Sequence, residues 1–183
     1  MLLPNAYLDV VDRALAEDLG SGDVTTEATV DESTSARATA VARQPLVVCG
    51  GEVFFAVFRR IDASVRCEKL VDDGAKVERG AALWRVEGAA RSLLMGERVS
   101  LNLSQRMSGV ATLTRAFVEQ IPEGCTTRVV DTRKTTPGLR ALERHAVRVG
   151  GGHNHRDNLS SAVLIKDNHI VAAGGIERAV ERA

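Results

Sequence analysis

From Ala90 to Ile121 the chain contains no proline, and Val99, Leu103, Met107, Val110, Leu113, Phe117 and Ile121 recur at steps of three or four residues. That period puts them on one face of a helix, so the segment is expected to be one long helix with a single buried stripe, closed by Pro122 and Gly124. Arg98, Asn102 and Gln105 step along a different face as a polar line. Ser100, Ser104 and Ser108 form a row of small residues at spacing four, which would let another helix or subunit approach closely.

The texture differs on the two sides of this helix. Before it, residues 5–19 predict a helix with Asn5 as N-cap, Leu8, Val11 and Leu15 on its apolar face and Gly20 at its end. A glycine-rich loop, Gly20-Ser21-Gly22-Asp23, follows. Residues 34–48 are extended in character, and Val53, Phe54, Val57, Phe58 and Ile61 make an apolar helical face after Gly50-Gly51. Two β-like segments, 65–71 and 82–87, are joined through the turn sequences Asp72-Asp73-Gly74 and Glu78-Arg79-Gly80. After the long helix, strand and helix alternate. Residues 126–130 are β-like, 137–149 predict a helix with Pro137 near its first position and Gly150 past its end, 161–165 are a short apolar run, and 176–183 begin a further helix. Such alternation implies a parallel sheet with right-handed crossovers, where ligands meet the carboxyl ends of the strands.

With 183 residues, 44% hydrophobic and 26% charged, the chain can bury a core. Aromatic residues make up 3%, which argues against a base-stacking surface for single-stranded nucleic acid. Cys49, Cys67 and Cys125 contain no Cys-x-x-Cys pair, so neither a disulfide scaffold nor a thiolate zinc site is expected. The first twenty residues carry acidic side chains from Asp9 onward and no uninterrupted apolar run, so they predict neither a signal peptide nor a membrane span; a cytoplasmic protein is expected.

The formal charge is zero, with 24 Lys plus Arg against 24 Asp plus Glu, but the total hides an asymmetry. Residues 1–125 hold 14 basic and 18 acidic side chains, whereas 126–169 hold 8 and 4, together with all four histidines. The predicted strand 126–130 runs into Asp131-Thr132-Arg133-Lys134-Thr135-Thr136 and the run 161–165 into Lys166-Asp167-Asn168-His169, with His153-Asn154-His155-Arg156 between them. Three segments therefore converge on one basic pocket suited to an anionic ligand, Arg133 and Arg156 as bidentate forks and Lys134 and Lys166 as point charges. The competing structural reading pairs each cation with Asp131, Asp157 or Asp167. Gly150-Gly151-Gly152 follows a helix instead of a strand and lacks the dinucleotide pattern; it is expected to permit close backbone approach or a positive φ. A barrel metallohydrolase would use His153 and His155 with His169 as third ligand, but the surrounding cations oppose it. His145, inside a predicted helix, is expected to be structural. The stretch 71–83 resembles the strand-turn pattern of lipoyl and biotinyl carrier domains, yet 87–91 offers no lysine to acylate, leaving only the sandwich shape.

Glu17 to Thr26, Glu97-Arg98 with Asn102 and Ser108-Gly109, Asp131 to Gly138, Gly150 to Arg156 and Leu164 to Ile170 together resemble the quinolinate phosphoribosyltransferase (carboxylating nicotinate-nucleotide pyrophosphorylase) family. A molybdenum-transport-associated ModD branch shares much of the pattern. The resemblance implies an α+β N-terminal sandwich domain over residues 1–109, followed over 110–183 by the first part of an α/β (TIM-like) barrel. It implies an enzyme of NAD biosynthesis that joins quinolinate to phosphoribosyl pyrophosphate, giving nicotinate mononucleotide, pyrophosphate and CO2, with Mg²⁺ accompanying the phosphoribosyl pyrophosphate and no protein metal site. Arg98, Thr132, Arg133, Lys134, His155, Arg156 and Lys166 would then bind substrate, with Lys134 and Lys166 catalytic. A homodimer is implied in which Arg98 reaches the partner's site; neither nucleic acid nor membrane is expected as partner. A full eight-fold barrel takes about 250 residues, and only residues 126–183 follow the long helix. The expectation is thus a truncated polypeptide with the quinolinate half of the site, an inactive remnant being its alternative.

Overall fold

The computed structural model describes residues 2–183. A 3-10 turn at Pro4–Ala6 leads into α1 (Leu8–Leu19) and α2 (Val24–Thr29). There follow β1 (Ser35–Val41), β2 (Leu46–Val47), α3 (Gly51–Ile61), β3 (Arg66–Lys69), β4 (Lys76–Val77) and β5 (Ala82–Ala89). The long α4 (Ala90–Val118) then precedes α5 (Arg140–Val149), α6 (Asp167–Ala173) and α7 (Ile176–Glu181). The expected architecture is the one found, an α+β amino-terminal sandwich followed by the opening of an α/β barrel. The 109/110 boundary falls inside α4, which continues through it as one helix.

The amino-terminal unit pairs β1-β5-β3 in one antiparallel sheet and β2-β4 in a second, with β5 central. In β5 the side chains of Leu83, Trp84 and Val86 are buried, and Phe54 of α3 lies 4.9 Å from the Trp84 ring and 5.2 Å from Phe58. A second cluster, Val11, Val57, Met107, Ala111, Leu142 and Ala146, joins α1, α3, α4 and α5. Because α4 contributes to both sides of this packing, it is the beam on which the later segments rest.

Several local expectations shift. Asn5 does not cap α1; it sits in the 3-10 turn, and Tyr7 at the N-cap position makes no side-chain cap bond. The glycine-rich loop launches the unforeseen α2, where Asp23 accepts from the Thr26 amide at 3.0 Å. Along α4, Val99, Leu103 and Met107 are buried, but Leu113 and Phe117 are exposed because the buried face turns to Ala111 and Thr114 where α5 packs. Ser100, Ser104 and Ser108 are buried within the chain. Ser108 Oγ accepts from Cys49 N and donates to Cys49 O, both at 3.0 Å, so at Ser108 the row receives the protein's own backbone before α3.

After α4 the predicted strands form no ladder. Val130 and His153 make a single parallel bridge, with the His153 amide donating to Val129 O at 2.9 Å and the Asp131 amide to His153 O at 3.0 Å. Among the described residues, no segment pairs with 161–165, and a strand without a neighbour has no partners for its amides and carbonyls. Pro137 precedes α5 instead of starting it: Gly138 has φ +80°, and the Leu139 amide closes a turn onto Thr136 O. Residues Asp167–Ala173, to which the sequence pattern assigned no element, form α6.

Candidate active site

Arg140, Glu143 and Arg144 stand at i, i+3 and i+4 on α5, a spacing that places them on one face. From there they hold the two loops that the single bridge brings side by side. Arg140 Nε donates to Thr135 Oγ1 at 3.1 Å. Glu143 is buried; its Oε2 accepts from the Thr136 amide at 3.3 Å, and its Oε1 receives Arg106 of α4 at 2.6 Å. Arg106 also donates to Thr136 Oγ1 at 2.9 Å, so α4 and α5 grip the 131–136 loop together. Burial raises the Glu143 carboxyl, but the hydrogen bonds and charge of Arg106 outweigh it and hold the group below its ordinary value.

Arg144 holds the second loop. Its guanidinium lies 3.1 Å from Asp131 and 2.7 Å from Asp157, and it donates to the backbone carbonyls of His155 at 2.9 Å and Arg156 at 3.2 Å. Asp131 in turn accepts from Asn154 Nδ2 at 2.6 Å and from the His155 amide at 2.8 Å. Only 10% of the Arg144 side chain and 4% of the Asp131 side chain are exposed, so this is a buried, nearly saturated polar cluster.

The cluster decides the question of the cations. Asp131 and Asp157, which the structural alternative assigned to the loop cations, are bound to Arg144, a residue the sequence did not single out. Among the described residues, Arg133, Lys134, Arg156 and Lys166 enter no ion pair, and neither does Asp167. Arg133 Nε and Arg156 Nε are buried without a hydrogen-bond partner. A buried, unpaired guanidinium N–H is costly unless something accepts from it.

The structure brings together Thr132, Arg133 and Lys134 with His155 and Arg156 through the Asp131–Arg144 cluster. Arg156 Nη1 donates to Ala162 O at 2.8 Å, which ties in the segment leading to Lys166 at the start of α6. Arg98 is placed apart. It is exposed on α4 and lines a cavity of ≈ 580 Å³ with Asp18, Asp23, Glu97, Asn102 and Gln105, to which none of the loop cations contributes. The histidine trio does not assemble: His169 Nδ1 accepts from the Lys166 amide at 3.0 Å as part of the α6 cap. Among the described residues, the one group of three ligand atoms within 4.8 Å of each other contains none of the trio. The glycine run behaves as expected. A Cβ on Gly150 would stand 2.5 Å from Ala111 O, and Gly151 has φ +94°, so the end of α5 can lie against α4 and turn back.

Sequence reasoning missed Arg106, Arg140, Glu143 and Arg144. The signal was present in the i, i+3, i+4 spacing of charges on an apolar-faced helix, but solvated charges give the same pattern.

Comparison with known proteins bears directly on this arrangement. The sequence profiles described as "Quinolinate phosphoribosyl transferase, N-terminal domain" and "Quinolinate phosphoribosyl transferase, C-terminal domain" match residues 23–108 and 110–183. The chain is 43% identical over 173 residues to the chloroplastic carboxylating nicotinate-nucleotide pyrophosphorylase of Oryza sativa subsp. japonica, covering 94% of this chain and 46% of that protein. It is 46% identical over 175 residues to the carboxylating nicotinate-nucleotide pyrophosphorylase of Mycobacterium leprae, covering 94% and 61%. Among solved structures, NadC from Streptococcus pyogenes superposes on the whole chain with a TM-score of 0.92 at 42% identity, with 64% of its own length covered. The nicotinate-nucleotide pyrophosphorylase of Francisella tularensis gives 0.91 at 37%, again with 64% of its length covered. The chain therefore spans roughly half the length of several curated relatives, 46% and 48% of two of them. Both domain profiles fall in order on the two structural regions, and the chain belongs to the quinolinate phosphoribosyltransferase family.

Proposed function

We propose that this chain provides the pyridine-dicarboxylate half of a phosphoribosyltransferase site, joining quinolinate to phosphoribosyl pyrophosphate with release of pyrophosphate and CO2. One observation supports this most: Asp131 and Asp157 are bound to Arg144, leaving the loop cations unpaired around the two adjoining loops. In the proposal, Arg133, His155, Arg156 and Lys166 hold the two carboxylates, with Thr132 beside them. Lys134 faces the departing pyrophosphate or carboxylate. The pyridine nitrogen attacks the anomeric carbon as pyrophosphate leaves, and the cations stabilise the charge that develops on it. The bond from the adjacent ring carbon to its carboxylate then breaks, CO2 leaves, the electron pair stays on that carbon where the neighbouring positive nitrogen stabilises it, and the carbon takes a proton from solvent.

Mg²⁺ enters this proposal only with the phosphoribosyl pyrophosphate. Of the carboxylates beside the loop cations, Asp131 and Asp157 are bound to Arg144 and so are not free to hold Mg²⁺. Arg98 acts in the site of a partner copy. An apolar groove of ≈ 500 Å³ that shares Leu94, Glu97, Leu101 and Gln105 with the Arg98 cavity supports such a dimer. No helix among the described residues is long and apolar enough to cross a membrane; three free cysteines support the cytoplasmic assignment.

The test is calorimetric binding of quinolinate, with nicotinate as the control that lacks one carboxylate, followed by a nicotinate mononucleotide assay with phosphoribosyl pyrophosphate. Quinolinate is expected to bind at least about tenfold more tightly, as one charge-assisted contact predicts. Equal binding of both acids would overturn the reading.

A further inference from the structure

We infer that Cys49, Asp73 and His145 form a binding site for a divalent cation that accepts sulfur ligands, with Zn²⁺ the best match. The three come from separate elements: Cys49 just before α3, Asp73 in the turn between β3 and β4, and His145 on α5. One ligand atom of each lies within 4.8 Å of the other two. A thiol, an imidazole and a carboxylate form a donor set suited to zinc and not to Mg²⁺ or Ca²⁺.

Geometry and hydrogen bonding point the same way. His145 Nε2 stands 3.9 Å from Asp73 Oδ2, too far for a hydrogen bond and a few tenths of an ångström beyond the roughly 3.3 Å that separates two N or O ligands on a tetrahedral zinc. Its other ring nitrogen, Nδ1, is buried with no hydrogen-bond partner, so Nε2 is the ring atom that faces Asp73. The other two ligands are held in place. Asp73 accepts the Gly50 and Gly51 amides at 2.8 and 3.2 Å, which leaves lone pairs free on both oxygens. Ser108 fixes the Cys49 backbone through its amide and carbonyl. A cavity of ≈ 190 Å³ whose lining includes Asp73, His145, Glu52 and Lys69, and Gly50 next to Cys49, gives an ion its approach.

Binding also balances charge. On binding, the S–H bond breaks, the proton passes to solvent, and the thiolate takes a metal position. Thiolate and carboxylate then neutralise a 2+ ion, and the imidazole binds as a neutral donor. The ion would join the amino-terminal unit to α5, the helix whose Arg140, Glu143 and Arg144 hold both cation-bearing loops. His145 would then be a ligand and not merely structural.

The experiment is a Co²⁺ titration of the chain as it stands, read by absorption and independent of turnover. One equivalent of Co²⁺ is expected to produce a sulfur-to-cobalt charge-transfer band and tetrahedral visible bands, and Zn²⁺ to erase both. Cys49→Ser should abolish the charge-transfer band, His145→Gln should weaken binding at least about tenfold, and the Cys67→Ser/Cys125→Ser double variant should keep band and affinity. His145→Gln provides a second variant at a partly exposed position, so a folding failure of Cys49→Ser leaves the inference testable. Absence of the band in the parent chain, its persistence in Cys49→Ser, unchanged affinity in His145→Gln, or its loss in the double variant would overturn the site.

Discussion

The amino-terminal unit and the 126–169 region treat their charges in opposite ways. On the β1-β5-β3 sheet, Glu87 receives Arg37 at 2.8 Å and Arg66 at 2.5 Å, and Glu68 receives Arg85 at 2.6 Å, so the cations are neutralised across strands on an exposed face. In 126–169, Asp131 and Asp157 are both bound to one buried arginine, Arg144, and Glu143 to Arg106, so the loop cations are left without carboxylates. Surface pairing of the first kind contributes little and selects nothing. Internal pairing of the second kind fixes two loops and leaves their guanidinium groups available to an outside anion. The local net charge is therefore less informative than the answer to which cation holds which acid.

Removing the internal pairing should have the largest effect. Arg144→Met leaves Asp131 buried without its counter-charge, and Asp131→Asn strips Arg144 of its most buried partner. Each is expected to destabilise by about 3–5 kcal/mol, the cost of breaking a buried pair from one side. Urea unfolding gives the magnitude, and hydrogen exchange should show the lost protection at the amides of Asp131, His153 and His155, which bond across the two loops. A change below about 1 kcal/mol would place the cluster with the surface pairs.

The next effect is on binding with little on folding. Arg133→Met and Arg156→Met remove cations that hold no acid; stability should stay within about 0.5 kcal/mol of the parent for Arg133→Met and fall by about 1 kcal/mol for Arg156→Met, which also loses the bond to Ala162 O. Quinolinate affinity should fall between roughly tenfold and a hundredfold, the equivalent of one charge-assisted contact. Calorimetry on the same samples used for unfolding separates the two quantities. If either variant loses stability as Arg144→Met does, its guanidinium belongs to the scaffold.

These contrasts also explain what the sequence could and could not convey. The long α4, the close approach at Gly150 and the concentration of cations were all readable, because periodicity, glycine and charge are local properties. The exposed Leu113 and Phe117 were not, because the choice of buried face depends on where α5 lands. The row of serines on α4 has the spacing of a close helix or subunit contact, and only the fold shows that Cys49 meets it at Ser108. The apolar runs 126–130 and 161–165 have strand composition, but a ladder also requires a neighbouring strand. Arg144 was missed for a related reason: a buried arginine and a solvated one are the same letter, and 13 residues separate Arg144 from Asp131 in sequence.

Acid should then distinguish the two regions more finely. Glu143 titrates below its ordinary value in the folded chain and near 4.3 when unfolded. A depressed folded value makes the contribution of the charged form complete above the unfolded value and removes it as pH falls through the folded one. Glu143→Gln should therefore lower Tm at neutral pH, and the gap to the parent should close as pH drops below about 4. A gap constant from pH 7 to pH 3 would assign the effect to packing instead of to the Arg106 charge.

The smallest effect belongs to the exposed sheet. Glu87 also titrates below its ordinary value, through hydrogen bonds from Arg37 and Arg66, yet it lies on the solvent face, where water and salt screen the attraction. Glu87→Gln keeps the side chain's size and part of its hydrogen bonding, so Tm should move by no more than about 2 °C in low salt. In 1 M NaCl, where the screening length falls to about 3 Å, the difference should vanish, while the Arg144→Met deficit should persist because its partner Asp131 is buried. A salt-resistant loss at Glu87 would mean that the two regions stabilise their charges in the same way.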